Sequence, residues 1–274
     1  MFGKNQIGII QGRLTASDGK LQCFPYGKWK EEFFIARSLG FDCIELIVER
    51  KVGAPNPLWE TDGVRELLAV SKESGVRAFS LCDDQIMDAG LLSAEGPGAA
   101  VCFETLVKLL GQLKQLGATR LILPFLEEAS VKENREGFLA VRGYLEKLVP
   151  IAEDCGVEIM LENDLPTPLL KELVSTTAGK IGVCYDTGNR TWFGFTPGEE
   201  ILELGSLVRH VHIKDKAADG KNVMLGTGAV DFASVFSALR KIKYDGPLIL
   251  ETSRGDEDVQ AGRENIAFVR RFLG

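Results

Sequence analysis

Four short stretches carry the residue types from which a polar reaction centre is built: Leu161-Glu162-Asn163, Tyr185-Asp186-Thr187-Gly188-Asn189, His210-Val211-His212-Ile213-Lys214-Asp215 and Leu250-Glu251-Thr252. Each ends an apolar, strand-like run, so each sets polar side chains at a strand's C-terminal end. Any one of these acids alone reads as an ordinary rim carboxylate held by a loop amide or an arginine; four stretches in succession read as a site. Glu162, Asp186 and Glu251 in one small volume would repel one another and hold protons more tightly unless a cation compensates. A divalent ion with oxygen and nitrogen ligands is the usual compensation. A Glu/Asp/His/Glu set with open positions suits Mn²⁺, Mg²⁺ or Co²⁺, and Zn²⁺ is compatible with it. The chain has two histidines, His210 and His212, which lie two apart and so face one side of a strand. His212, nearer the strand end, is the expected ligand, whereas His210 is expected in the core or behind the ligand. Lys214 shares that face, where it either reaches a substrate oxygen or sits as a solvated loop residue.

These residues need a scaffold that brings successive strand ends together. Strands are expected at Gln6 to Gln11, Asp42 to Val48, Arg77 to Cys82, Arg120 to Pro124, Val157 to Glu162, Ile181 to Asp186, Val208 to Lys214 and Pro247 to Thr252. Most are near-continuous apolar runs, as in parallel strands covered on both faces. Between them lie helical stripes: Leu106, Leu109, Leu110 and Leu113; Phe138, Val141, Leu145 and Leu148; and Phe232, Val235, Phe236, Leu239 and Ile242, the last with Asp231 placed as its cap. Gly40, Gly75, Gly117 and Gly156 stand where helices close before the next strand. Eight strand-helix units are the count that closes an α/β (β/α)8 TIM barrel, whose active site forms at the C-terminal ends of its strands. An open doubly wound sheet is the rival, but no Gly-x-Gly-x-x-Gly turn follows the first strand, and Gly226-Thr227-Gly228 is too short to be a phosphate loop. A single domain spanning residues 1–274 is expected.

Composition narrows the partners. The 274 residues carry 32 Lys+Arg against 39 Asp+Glu, a net charge of −7, which lacks the basic footprint of a nucleic-acid binder. Six cysteines, Cys23, Cys43, Cys82, Cys102, Cys155 and Cys184, contain no Cys-x-x-Cys pair and read as buried free thiols in a reducing cytoplasm. No apolar run approaches the roughly 20 residues of a membrane span. The expectation is a soluble, cytoplasmic protein with neither nucleic acid nor membrane as partner.

With these residues in view, the chain resembles the xylose-isomerase-like TIM barrels, which include sugar and sugar-phosphate isomerases and epimerases such as ketose 3-epimerases and hydroxypyruvate isomerase. The resemblance spans nearly the whole chain and rests on Ile7-Gly8-Ile9-Ile10-Gln11-Gly12-Arg13-Leu14, Phe41-Asp42-Cys43-Ile44-Glu45-Leu46, Leu161-Glu162-Asn163 and Asp186-Thr187-Gly188-Asn189. It continues through His212-Ile213-Lys214-Asp215, Leu225-Gly226-Thr227-Gly228-Ala229-Val230-Asp231-Phe232 and Gly246-Pro247-Leu248-Ile249-Leu250-Glu251. It implies one divalent metal held by Glu162, Asp186, His212 and Glu251, with Glu162 and Glu251 also acting as acid and base. Metal chelation by a carbonyl and a neighbouring hydroxyl would stabilise an enediolate. Proton return on the opposite face inverts a stereocentre, and return to the adjacent carbon isomerises aldose and ketose. Family epimerases and hydroxypyruvate isomerases carry a histidine three residues after the metal-binding aspartate; here that position is Asn189, which hydrogen-bonds but carries no charge. Abasic-site endonucleases of the same superfamily use three metals and many histidines, more than this chain possesses.

Further expected substrate contacts are Gln11 and Arg13 in the first loop, Glu45 at the second strand's end, Asn189 and Lys214. Arg13 and Glu45 are each equally well explained as structural ion-pair residues. Asp83 and Asp84 either face substrate or cap the segment that follows, and Trp192, Phe193 and Phe195 are expected in a loop as a lid or interface. The functional expectation is therefore a metal-dependent isomerase or epimerase acting on a small sugar or sugar phosphate, as a homodimer or homotetramer by family resemblance. A metal-dependent dehydratase of a keto-polyol or cyclic hydroxy-ketone is the enzymatic alternative. A non-catalytic sugar-binding barrel is the alternative of another class.

Overall fold

A computed structural model describes residues 5–17, 19–50, 56–87 and 97–274. Eight parallel strands carry the architecture: β1 (Ile7–Ile10), β2 (Cys43–Val48), β3 (Arg77–Asp83), β4 (Arg120–Phe125), β5 (Glu158–Asn163), β6 (Ile181–Asp186), β7 (Val208–Ile213) and, after a ribbon of β8 (Asp215–Lys216) and β9 (Asn222–Val223), β10 (Leu248–Leu250). They follow the order β1-β10-β7-β6-β5-β4-β3-β2 and close into a barrel, the α/β TIM fold expected from the eight repeated units. The strand expectations hold to within one residue at most ends, while β10 is shorter than its apolar run. Just beyond it, the Glu251 N–H still donates to the Ile213 carbonyl of β7 at 3.1 Å.

The chain forms two compact units, one of Met1–Glu45, Val70–Arg77 and Cys184–Gly274, the other of Leu46–Ala69 and Ala78–Val183. In the first unit, β1 pairs with β10 through Ile7 opposite Leu248 and Ile9 opposite Leu250, and β10 pairs with β7 through Ile249 opposite His212. Around these strands pack α1 (Trp29–Leu39), α6 (Thr187–Trp192), α7 (Pro197–Leu204), α8 (Phe232–Lys241) and α9 (Asp258–Arg270). Helix α8 forms for the expected reason. Phe232, Val235, Phe236 and Leu239 are buried on one face, and Asp231 accepts a hydrogen bond from the Ser234 N–H at 3.0 Å, supplying an orphan donor of the first turn with a partner.

In the second unit, β4 and β5 pair along their length from Arg120 opposite Glu158 to Phe125 opposite Asn163, which sets Pro124 opposite Glu162. Helices α3 (Pro97–Leu116), α4 (Arg135–Cys155) and α5 (Thr167–Ser175) belong here. The side chains of Leu106, Leu109, Leu110 and Leu113 on α3 are completely buried. Full burial of one such side chain contributes about 1.5–3 kcal/mol. The remaining helix, α2 (Thr61–Ser74), ends before Gly75, whose positive φ closes it before β3.

The six cysteines are free, and five of them are buried. No helix among the described residues is long and apolar enough to cross a membrane.

Candidate metal centre

Strand β6 delivers Asp186 to its end, and the same residue starts α6. One carboxylate oxygen of Asp186 accepts the Asn189 backbone N–H at 2.7 Å, while the other lies 2.9 Å from Lys214 Nζ. Capping therefore fixes the carboxylate's orientation before any substrate arrives. Thr187 ties the neighbouring strand to it: its hydroxyl donates to the Lys214 carbonyl at 2.7 Å and accepts the Lys214 N–H at 3.0 Å.

On β7, alternation sends His210 and His212 to one side, with ring centroids 5.2 Å apart and edge-to-face. His212 Nε2 is 2.8 Å from Glu45 Oε1, and its Nδ1 is 2.9 Å from Glu251 Oε2. His210 Nε2 is 2.9 Å from the other oxygen of Glu45. Glu251 follows β10, and its second oxygen is 2.6 Å from Lys214 Nζ and 3.9 Å from Arg13 Nη2. Asp186, His212 and Glu251 each offer a donor atom within 4.8 Å of the other two, and all three are buried. Cys184, His210 and His212 form another close, buried trio.

The electrostatics follow from that packing. Burial alone would drive the Glu251 carboxyl up, but the Lys214 ammonium and the His212 imidazole outweigh it and hold the group well below the usual carboxylate range. Glu45 is lowered in the same way, its burial outweighed by His212 and His210. The His212 ring lies between two carboxylates, so it donates to both only as an imidazolium. A divalent ion at Nδ1 would replace one proton and leave Nε2–H to Glu45. Three buried donors of O, N and O character with an ammonium set against the acids fit a hard or borderline divalent cation.

The expected site residues take up the following places. Asp186, His212, Glu251 and Lys214 come together. Lys214 is buried and paired with two carboxylates, not solvated. Arg13 is buried too and braces the first loop, donating to the Thr252 carbonyl at 2.9 Å, the Leu21 carbonyl at 2.6 Å and Gln22 Oε1 at 2.8 Å. Gln11 is buried, its backbone N–H donating to the Glu45 carbonyl at 2.8 Å. Glu45 is completely buried against both histidines, deeper than a rim. Asn189 is half-buried in the first turn of α6, and Glu162 is buried near the end of β5 in the other unit.

One outcome differs from expectation. The segment holding Trp192 is helix, not loop: α6 runs to Trp192, whose half-exposed ring packs over Gly220, and Arg190 stacks on Phe195 with 3.8 Å from guanidinium carbon to ring centre. Asp83, the last residue of β3, is buried and accepts the Gln85 N–H at 3.2 Å through one oxygen, while buried Asp84 opens the short helical turn that follows, the capping place that was one of the two expected for this pair.

Three supports escaped sequence reasoning because only tertiary structure reveals them. Glu32 of α1 takes the N–H groups of Gly12 at 2.7 Å and Leu14 at 2.9 Å, shaping the first loop from beneath. Arg254 donates to the Thr15 carbonyl at 2.9 Å and to that of Gly12. Asp215 accepts the backbone N–H groups of Gly226 and Gly228, each at 2.9 Å, and of Val230 at 3.2 Å.

A family model described as the xylose isomerase-like TIM barrel matches residues 33–272. The chain belongs to that family. Among its curated relatives in the xylose isomerase-like family, L-ribulose-5-phosphate 3-epimerase UlaE of Salmonella paratyphi C (strain RKS4594) is 27% identical over 246 residues, 84% of each chain. Among solved structures, one described as L-ribulose 3-epimerase superposes with a TM-score of 0.78 at 19% identity, covering 98% of this chain and 94% of its own. D-allulose 3-epimerase from Methylomonas sp., in complex with D-allulose, gives a TM-score of 0.74 at 21% identity over 98% of this chain and 97% of its own.

Proposed function

We propose that the protein is a divalent-metal-dependent epimerase of a ketose or ketose phosphate, with residues 1–274 acting as one catalytic domain. The observation that carries this reading is the buried trio of Asp186, His212 and Glu251 with Lys214 against its carboxylates. Glu162, buried near the end of β5, is the fourth donor of this proposal. Relatives named as sugar epimerases support the substrate class.

The chain's own residues perform the proton chemistry. Glu251, kept ionised by Lys214 and His212, accepts the proton from the carbon next to the ketose carbonyl. Glu162 is assigned the return of a proton to the opposite face of the same carbon, so the stereocentre inverts with no net gain or loss of atoms. The reverse reaction exchanges the two roles. A divalent ion bound by Glu162, Asp186, His212 and Glu251 would supply the positive charge that draws electrons toward the carbonyl oxygen. Asn189, at the start of α6, hydrogen-bonds a substrate hydroxyl through its amide.

The test is elemental analysis of purified protein together with NMR-detected proton-deuterium exchange on ketoses, ketose phosphates and hydroxypyruvate, with and without Mn²⁺. Near one equivalent of metal, with metal-dependent exchange at a carbon beside a carbonyl and a product of unchanged mass, is the expected result. Turnover that survives exhaustive chelation overturns the reading. A product lighter by one water would transfer the site to dehydration.

A further inference from the structure

We propose that Glu45 is a positioning residue that sets the tautomer of both histidines and thereby selects Nδ1 of His212 as the coordinating atom. This inference rests on the metal reading above, but the hydrogen-bond assignment has its own readout. Glu45 is completely buried on β2, as are His210 and His212 on β7, so water does not compete for these groups. Its two oxygens are divided between the rings, Oε1 at 2.8 Å from His212 Nε2 and Oε2 at 2.9 Å from His210 Nε2.

A carboxylate only accepts hydrogen bonds. Two buried imidazoles facing it through Nε2 must therefore each carry a proton there, because a nitrogen lone pair set against a carboxylate oxygen in a dry interior is repulsive. With Nε2 committed, the remaining nitrogen of His212 is the one beside Glu251, at 2.9 Å, within the trio that includes Asp186. The histidine ligand is thus oriented from behind before a cation arrives. His210 is the second half of the device. By occupying Oε2, it leaves Glu45 a single way to present Oε1, so the carboxylate cannot rotate away from His212.

The amide of Glu45→Gln has the same shape but one acceptor and one donor. It still accepts from one ring, yet presents N–H to the other, whose Nε2 must then lose its proton and become the acceptor. One of the two histidines must change tautomer, and no comparable demand follows from shape alone.

Because the chain has two histidines, selective ¹⁵N-histidine labelling gives a spectrum of two rings. Long-range ¹H–¹⁵N correlation on the full chain, metal-free and with Zn²⁺, is the experiment. The expected wild-type result is a protonated Nε2 on both rings in both states, with Zn²⁺ shifting Nδ1 of a single ring, assigned to His212 by its loss in His212→Gln. In Glu45→Gln, one ring is expected to switch tautomer, and Zn²⁺ affinity measured by competition with a chromogenic chelator is expected to fall about 10- to 100-fold. His210→Gln, whose amide N–H still donates to Glu45, is expected to retain Zn²⁺ affinity within a few-fold.

An unprotonated Nε2 on either wild-type ring overturns the assignment without reliance on any variant folding. Zn²⁺ shifting Nε2 instead of Nδ1, or folded Glu45→Gln with wild-type tautomers and affinity, overturns it as well. No Zn²⁺ uptake by the wild type overturns this proposal and the metal reading together, whereas uptake through the wrong nitrogen overturns this proposal alone.

Discussion

Lys214 Nζ lies 2.6 Å from Glu251 Oε1, and the same ammonium is 2.9 Å from Asp186, so one buried lysine joins two of the candidate ligands. The residue directly after β7 thus neutralises acids delivered by β10 and β6. Without a positive group there, two buried carboxylates would face each other with only His212 and Arg13 as compensation.

Lys214→Met should therefore destabilise the metal-free protein by about 3–5 kcal/mol, the usual cost of removing one partner from a buried ion pair. A divalent ion supplies the missing charge, so Mn²⁺ should raise the melting temperature more in Lys214→Met than in the wild type. Thermal melts in chelator and in excess Mn²⁺ decide this, and equal metal-dependent shifts in the two proteins would count against it.

The candidate ligands should separate by role. Asp186→Asn and His212→Ala should each remove most of the bound metal, because a ligand atom is lost. Glu251→Gln should keep part of the bound metal yet lose about 10²- to 10⁴-fold in kcat, because the proton acceptor is gone. Metal titration beside steady-state kinetics measures both, and a Glu251→Gln enzyme with near-wild-type kcat would remove Glu251 from the proton chemistry.

Asp83 predicts a pH dependence of stability. Burial, aided by the neighbouring charge of Asp84, pushes its carboxyl from 3.8 up to about 7. Its Oδ2 has no hydrogen-bond partner among the described residues. Between those two pH values the folded chain binds more protons at this group than the unfolded chain, so stability falls as pH rises through the window and levels off above it. The full contribution is about 4 kcal/mol at 1.36 kcal/mol per pKa unit. Asp83→Asn should flatten this part of the profile. Urea unfolding of both proteins from pH 4 to 8 checks it, and parallel profiles would rule the assignment out.

Gly188 predicts how tightly α6 is seated. A Cβ at this position would stand 2.8 Å from Lys214 Cγ and 3.1 Å from its carbonyl carbon. Gly188→Ala should cost about 1–3 kcal/mol of stability through overpacking. It should also displace Lys214 enough to lower kcat by about 10- to 100-fold. Chemical denaturation and kinetics on the same preparation test this, and a variant with unchanged kcat would show that α6 tolerates the shift.

Much of the barrel was legible because its signals are local and repeated: apolar runs of strand length, amphipathic stripes such as Phe232 to Leu239, and Asp231 or Gly40 at helix ends. The polar strand ends were legible too, since Asp186, His212 and Glu251 interrupt apolar runs at equivalent places. What escaped was set by tertiary partners. Thr187-Gly188-Asn189 has weak helix propensity, yet α6 forms because Asp186 caps it and Arg190 is held by buried Glu200, Nε donating to Oε2 at 3.0 Å. The depth of Glu45 depends on two histidines more than 160 positions away, and the burial of Lys214 on two acids from other strands. No periodicity encodes either.

The carboxylate of Asp215 already fills the ring of backbone N–H groups at Gly226, Gly228 and Val230. The glycine turn is consequently a receptor closed by the protein's own anion. Inorganic phosphate and sulfate find no vacant seat in it, and buffers containing them should not compete there. The phosphoryl group of a phosphorylated ketose would have to be recognised elsewhere.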